Sequence, residues 1–143
     1  MLVNAVNCIG TMGKGVALQF KKRYPLMFEE YKALCEQKLV RPGRPHFYRD
    51  AGGVCILNLP TKDDWRQPSR MAYIESGLDW FRSHYASLGI VSAAFPALGC
   101  GSGGLDWNEV KLLMLRKLED LPVDIEIYVP IPKKTPHGGV SHR

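Results

Sequence analysis

Three short stretches carry residues whose types and spacing can do chemistry. The first is Asn4-Ala5-Val6-Asn7-Cys8-Ile9-Gly10-Thr11-Met12-Gly13-Lys14-Gly15-Val16-Ala17, which follows an apolar Met1-Leu2-Val3 start and runs into a helical pattern. It reads as a strand, a loop where glycines let a ligand approach the backbone, and a helix N-terminus, an arrangement whose N–H groups hold anions. The second, Pro96-Ala97-Leu98-Gly99-Cys100-Gly101-Ser102-Gly103-Gly104-Leu105-Asp106-Trp107, repeats that architecture, with a strand before it and a helix after. Its amides and positive helix end suit a diphosphate. Both loops follow strands and can meet at the carboxyl edge of one open sheet, so the pair points to one elongated phosphate-bearing ligand.

The third stretch is Leu59-Pro60-Thr61-Lys62-Asp63-Asp64-Trp65-Arg66, directly after a hydrophobic run. Lys62 there can be a cation for a phosphate or, if desolvated beside Arg66, a neutral amine nucleophile; the ordinary loop lysine is a solvated surface charge. Asn4 and Asn7 are uncharged amides beside a strand end. They can fix a ribose hydroxyl or satisfy turn backbone, and the residues alone leave both readings open.

Other chemistries are excluded by spacing. No G-x-x-x-x-G-K-[ST] run surrounds Lys14, and the G-x-G-x-x-G dinucleotide fingerprint is absent. The four cysteines, Cys8, Cys35, Cys55 and Cys100, form no C-x-x-C pair, and the four histidines are equally scattered. They read as reduced thiols and non-ligating imidazoles, so neither a metal nor a cofactor is expected. The net charge of +5 favours a polyanionic partner, although Lys133, Lys134 and Arg143 fall after Pro130 and dilute the signal. No apolar run reaches the length of a membrane span and no secretory signal is visible, so a cytoplasmic protein without a membrane partner is expected; a monomer is expected separately.

The elements that must position these residues follow from periodicity. Residues 2–6 read as a buried strand, 14–24 as a helix ended by Pro25, and 26–38 as a second helix with Met27, Tyr31, Leu34 and Cys35 on one face. Phe47-Tyr48-Arg49 and Val54 to Leu59, joined by Asp50-Ala51-Gly52-Gly53, read as a β-hairpin. Ile74, Leu78, Phe81 and Tyr85 mark a helix that stops at Gly89, and residues 90–95 form a strand. Asp106-x-x-Glu109 is a capping signature before the helix carrying Val110, Leu113, Met114 and Leu118, and 124–129 is a final strand. Alternating elements predict a three-layer α/β/α domain over 1–130 with a flexible tail over 131–143.

Together, Val3-Asn4-Ala5-Val6-Asn7, Met12-Gly13-Lys14-Gly15-Val16-Ala17-Leu18-Gln19-Phe20-Lys21, Pro60-Thr61-Lys62 with Trp65-Arg66, and Pro96 to Gly101 followed by Gly104-Leu105-Asp106-Trp107 resemble a macrodomain. The resemblance covers roughly residues 2–130 and is nearest the branch containing the antitoxin that removes ADP-ribose from DNA and the terminal ADP-ribose protein glycohydrolase. It implies a mixed central sheet and ADP-ribose across the carboxyl ends of the strands. Gly10, Met12, Gly13, Lys14, Gly15 and Val16 would embrace the distal ribose, with Asn4 and Thr61 nearby. Gly99, Cys100, Gly101, Ser102, Gly103 and Gly104 would cradle the diphosphate, and Pro96 and Leu98 would also contact ADP-ribose.

By the same resemblance Lys62 matches the branch's catalytic lysine and Asn7 its ribose-orienting asparagine. The implied activity is an ADP-ribosyl glycohydrolase acting on ADP-ribosylated DNA bases, with ADP-ribosylated protein, O-acetyl-ADP-ribose or plain ADP-ribose recognition as alternatives. The implied partner is a cognate ADP-ribosyltransferase toxin. Gly101-Ser102-Gly103-Gly104 stands where the protein-directed relative carries an aspartate, which resembles the DNA-directed antitoxin instead; Asp106 is better explained as a helix cap. The matching segment starts at Met1, so the sheet is expected to lack the first strand that such domains normally carry.

Overall fold

The strand β1 (Leu2–Val6) runs between two parallel neighbours, β3 (Cys55–Pro60) and β4 (Ser92–Phe95), in a computed structural model that describes residues 1–130. β2 (His46–Arg49) lies antiparallel outside β3, and β5 (Asp124–Ile127) lies parallel outside β4, giving a five-stranded sheet in the order β2-β3-β1-β4-β5. The sheet is therefore mixed, as expected, and among the described residues no strand lies outside β5. The tail expected over 131–143 lies outside the described residues.

Parallel strands need crossover connections, and the helices that supply them cover both faces. α1 (Gly15–Arg23) and α2 (Pro25–Glu36) follow β1; α3 (Met71–His84) follows β3; α4 (Trp107–Leu118) follows β4. Side chains alternate across the sheet, so Val3, Leu57 and Leu59 face one core with Ile74, Leu78 and Phe81 of α3 and Val110, Leu113 and Met114 of α4. Val6 and Ile56 face the other, with Met27, Phe28, Tyr31 and Cys35 of α2 and Met12 from the first glycine loop. Two apolar clusters on opposite faces make the three layers.

Local signals act as their chemistry predicts. Pro25 takes the first position of α2 and ends α1, where its missing N–H costs nothing. The Asp106 side chain accepts from Glu109 N and caps α4. The hairpin turn closes through Asp50, which accepts from Val54 N at 2.8 Å, with Gly53 at φ +89. β1 matches its expected bounds, and the other strand and helix ends differ from the sequence expectation by up to four residues, where backbone bonding and not apolar character sets the limit.

One face of β1 and its neighbours carries polar residues deep inside. The register pairs Asn4 with Asn58 and His46 with Asn58, so three polar side chains sit in a row across β1, β3 and β2. Asn4 Nδ2 donates to Asn58 Oδ1 at 3.0 Å, and Asn58 Nδ2 lies 3.0 Å from His46 Nδ1, which must accept. That leaves the His46 proton on Nε2, 2.6 Å from the Glu30 carboxylate on α2.

Close approach fixes α3 against β3. Gly77 is buried in α3, and a Cβ built there would stand 2.6 Å from Leu59 Cγ, a side chain with no exposed surface. Gly77→Ala should therefore destabilise the fold by about 1–3 kcal/mol through overpacking, measured as a lowered midpoint of denaturant unfolding. An unchanged midpoint would mean that Leu59 has room to move.

Candidate functional site

The carboxyl ends of β1, β3 and β4 open into a cleft of about 650 Å³. Its lining comes from the three stretches singled out in sequence: residues after β1 form one wall, Thr61, Lys62 and Trp65 follow β3, and the glycine loop after β4 forms the opposite wall. Two lysines line it, Lys14 and Lys62, and among the described residues no carboxylate does.

The β1–β3 ladder continues past the strands and locks Lys62 in place. Thr61 N donates to Val6 O at 3.0 Å, and Cys8 N donates to Asp63 O at 2.9 Å, so the Lys62 backbone is held between two bonds beside the first loop. Arg70 N donates to Thr61 O at 2.9 Å, which binds the start of α3 to the same turn. The Lys62 amine is pushed below the ordinary lysine range, first by burial and then by the charge of Lys14. Both effects disfavour the ammonium form. Asp63 is turned away from this role, its Oδ2 accepting from Tyr73 Oη at 2.6 Å.

Asn7 organises the first loop. Its Nδ2 donates to Thr11 O at 3.1 Å and Thr11 Oγ1 at 2.8 Å, while its Oδ1 accepts from Ile9 N at 3.1 Å and Thr11 N at 3.4 Å. Tyr31 on α2, wholly buried, donates its hydroxyl to Asn7 O at 2.7 Å, with Asn7 Oδ1 at 2.9 Å. The whole amide is spent on its own loop, and an arriving hydroxyl would have to displace Thr11. Gly10 turns at φ +91 against Lys32 and Cys35 of α2, and Gly15 turns at φ +64 into α1, whose N-cap residue Lys14 makes no side-chain cap. The first amides of α1 are left facing the cleft.

The second loop is held from behind. Gly99 adopts φ +72 and accepts from Leu105 N at 2.9 Å, while Gly103 O accepts from Ser69 N at 3.0 Å. Ser69 Oγ also donates to Thr61 Oγ1 at 3.1 Å, so one buried serine ties the second loop to the Lys62 turn.

The structure brings Asn7, Met12, Gly13, Lys14, Gly15, Val16, Thr61, Lys62, Pro96, Gly99, Gly101, Ser102 and Gly103 to the cleft. Five expected ligand residues are not in its lining, and each has a structural task. Asn4 is wholly buried in the polar row beneath the floor, and its Oδ1 has no hydrogen-bond partner. Gly10 packs on α2, and Leu98 is core. Cys100 turns its thiol back to Leu98 O at 3.4 Å, its pKa raised by burial and Asp106. Gly104 closes the turn at φ +80. Met12 both lines the cleft and packs in the core, 1% exposed. Ala5, Val6, Thr11, Ala17, Trp65, Ser69 and Ala97 were missed as lining. All but Ser69 lie inside the three stretches singled out in sequence, which was the one signal they carried.

Comparison with known proteins gives a consistent picture. The sequence model of the Macro domain matches residues 3–114. The DNA ADP-ribosyl glycohydrolase of Mycobacterium tuberculosis is 47% identical over 134 residues, which cover 90% of this chain and 38% of that protein. The chain thus spans under two fifths of that relative's length. The solved macrodomain of Mycobacterium tuberculosis DarG superposes with a TM-score of 0.87 at 46% identity, covering 91% of this chain and 88% of that one. Thermosipho africanus DarTG in complex with ADP-ribose superposes at 0.88 with 37% identity, covering 95% of this chain and 39% of that one.

The second loop gives a direct test of the cleft. A Cβ at Gly103 would stand 2.6 Å from Gly99 O and collide with Ser69 Oγ. Gly103→Ala should force the loop out of place and weaken ADP-ribose binding by about tenfold or more, read by calorimetry, with the far-ultraviolet circular dichroism retained. Binding at wild-type affinity would detach this loop from the ligand.

Proposed function

We propose that this chain, which belongs to the macro domain family, binds ADP-ribose in the cleft and hydrolyses the glycosidic bond joining it to a DNA base. The observation that carries this reading is Lys62: a partly desolvated amine, held by two backbone bonds at the junction of both loops, in a lining with no carboxylate among the described residues. The match to DNA ADP-ribosyl glycohydrolases supports the activity. The ADP-ribose bound by the similar Thermosipho africanus protein supports the ligand.

The two glycine loops and the first turn of α1 supply uncharged N–H donors for the phosphates, and Lys14 supplies charge. The neutral Lys62 amine attacks the anomeric carbon of the distal ribose; the bond to the base breaks and its electron pair leaves with the base, which takes up the amine's proton. Opening of the sugar ring gives a Schiff base, and water hydrolyses it to release ADP-ribose and restore the amine. A lysine nucleophile needs no carboxylate in the lining for bond formation. The partner implied by this reaction is a transferase that attaches ADP-ribose to DNA, and the chain would act as the antitoxin against it.

Lys62→Ala should lower turnover of ADP-ribosylated single-stranded DNA by roughly a thousandfold or more while free ADP-ribose still binds. Full turnover by that variant would end the nucleophile role, and binding without release by the wild type would make the protein a reader.

The pH profile tests the charge state. Only the deprotonated amine attacks, so kcat rises with pH through the lowered Lys62 pKa and is lost below it. Lys14→Ala removes a repelling charge, raises the Lys62 pKa and should move the rising limb to higher pH. A shift to lower pH, or none, would contradict the coupling.

A further inference from the structure

Trp65 stands out among the cleft residues because it is large, apolar and 54% exposed. A single exposed apolar side chain is ordinary on a protein surface, but this indole lies in the lining of the cleft. This one is also held in a fixed pose. Asp64 Oδ1 accepts from Arg66 N at 2.9 Å and Arg66 Nε at 3.0 Å, and Asp64 Oδ2 pairs with Arg66 Nη2 at 2.5 Å. These bonds pull the Asp64 carboxyl down to about 2. The guanidinium so anchored lies 5.6 Å from the centroid of the Trp65 ring. The sequence Asp64-Trp65-Arg66 is therefore a clasp, in which the carboxylate orients the arginine and the arginine stacks against the indole.

The indole of the clasp shares the cleft lining with Lys62. Lys62 is three residues away and lies in the same lining, and the bond it attacks has ADP-ribose on one side and the target on the other. We propose that Trp65 is the specificity-determining platform on which the ADP-ribosylated nucleobase of a single strand stacks while its glycosidic bond is placed at Lys62. This inference rests on the hydrolase reading for its substrate and adds the feature that selects DNA.

Three properties favour a nucleobase over an amino-acid side chain. A flat π-surface backed by a cation matches a flat base, and such stacks hold single strands without reading their sequence. The lining carries Lys14 and, among the described residues, no carboxylate, which suits a chain of phosphates. The clasp consumes the Arg66 charge internally, so Arg66 serves the indole and not a carboxylate on a protein substrate. A base paired in a duplex has both faces covered, so the substrate that fits is unpaired or extruded.

The test compares the full chain with Trp65→Ala and Trp65→Phe. Initial rates are measured on an ADP-ribosylated single-stranded oligonucleotide and on an ADP-ribosylated protein, and free ADP-ribose binding by calorimetry. Trp65→Ala should lower kcat/KM on the oligonucleotide by about tenfold, the size of one lost base–aromatic stack, and change free ADP-ribose affinity by under about twofold. Trp65→Phe keeps a ring and should recover most of that loss.

Equilibrium binding of the modified oligonucleotide, by fluorescence anisotropy in a Lys62→Ala background, should show the same dependence on Trp65. Equal oligonucleotide affinity with and without the indole, or an equal loss on free ADP-ribose and on modified protein, would overturn the platform. Absence of turnover by the wild type would instead defeat the hydrolase reading, and the anisotropy comparison would still decide the platform.

Discussion

The parallel placement of β1 between β3 and β4 is the constraint on which the rest depends. It makes three strands end at one edge, and each strand end delivers one of the three chemical segments. Parallel neighbours also require both faces of the sheet to be covered, which is why α1 and α2 lie on one side and α3 and α4 on the other. The backbone bonds from Thr61 to Val6 and from Cys8 to Asp63 prolong this ladder beyond the strands. They turn a surface loop into an extension of the sheet, and Lys62 inherits the sheet's rigidity.

Rigidity at the first loop comes from a different source. Asn7 spends every donor and acceptor of its amide on the loop and on Tyr31, so the loop shape is set from beneath by α2 and not by its glycines alone. The polar row Asn4, Asn58 and His46 lies under the same region, closed at its outer end by Glu30. Buried polar groups are costly unless paired, and this row pairs all but Asn4 Oδ1. Its members can only be satisfied in one register of β1, β3 and β2, because a one-residue slip would send each amide to the opposite face.

The electrostatic design of the cleft is one-signed. Two lysines line it, while nearby acids are engaged elsewhere: Asp63 with Tyr73, Asp64 with Arg66, and Asp106 with the start of α4. That division leaves the charge of Lys14 uncompensated beside Lys62, where it adds to burial in disfavouring the Lys62 ammonium form. The second loop owes its shape to Ser69, which fixes it from behind.

Much of this was legible in the sequence. Strand, loop and helix order, both glycine loops and the segment bearing Lys62 follow from apolar periodicity and from glycine and proline placement, which are local properties of the chain. The roles of individual residues within those loops were not. Asn4 and Asn7 look alike in sequence, yet strand alternation buries Asn4 against Asn58 and carries Asn7 to the cleft edge, where contact with α2 consumes its amide. Leu98, Cys100, Gly10 and Gly104 share their loops with true lining residues but face the core, α2 or a turn. Ser69 gave no local sign, since its importance lies in reaching both Thr61 and Gly103 across the fold. Which segments come to the cleft is written in residue type, because glycine loops after apolar strands are a local property of the chain. Which side chains line it emerges only in the folded chain, because that depends on packing between elements far apart in sequence.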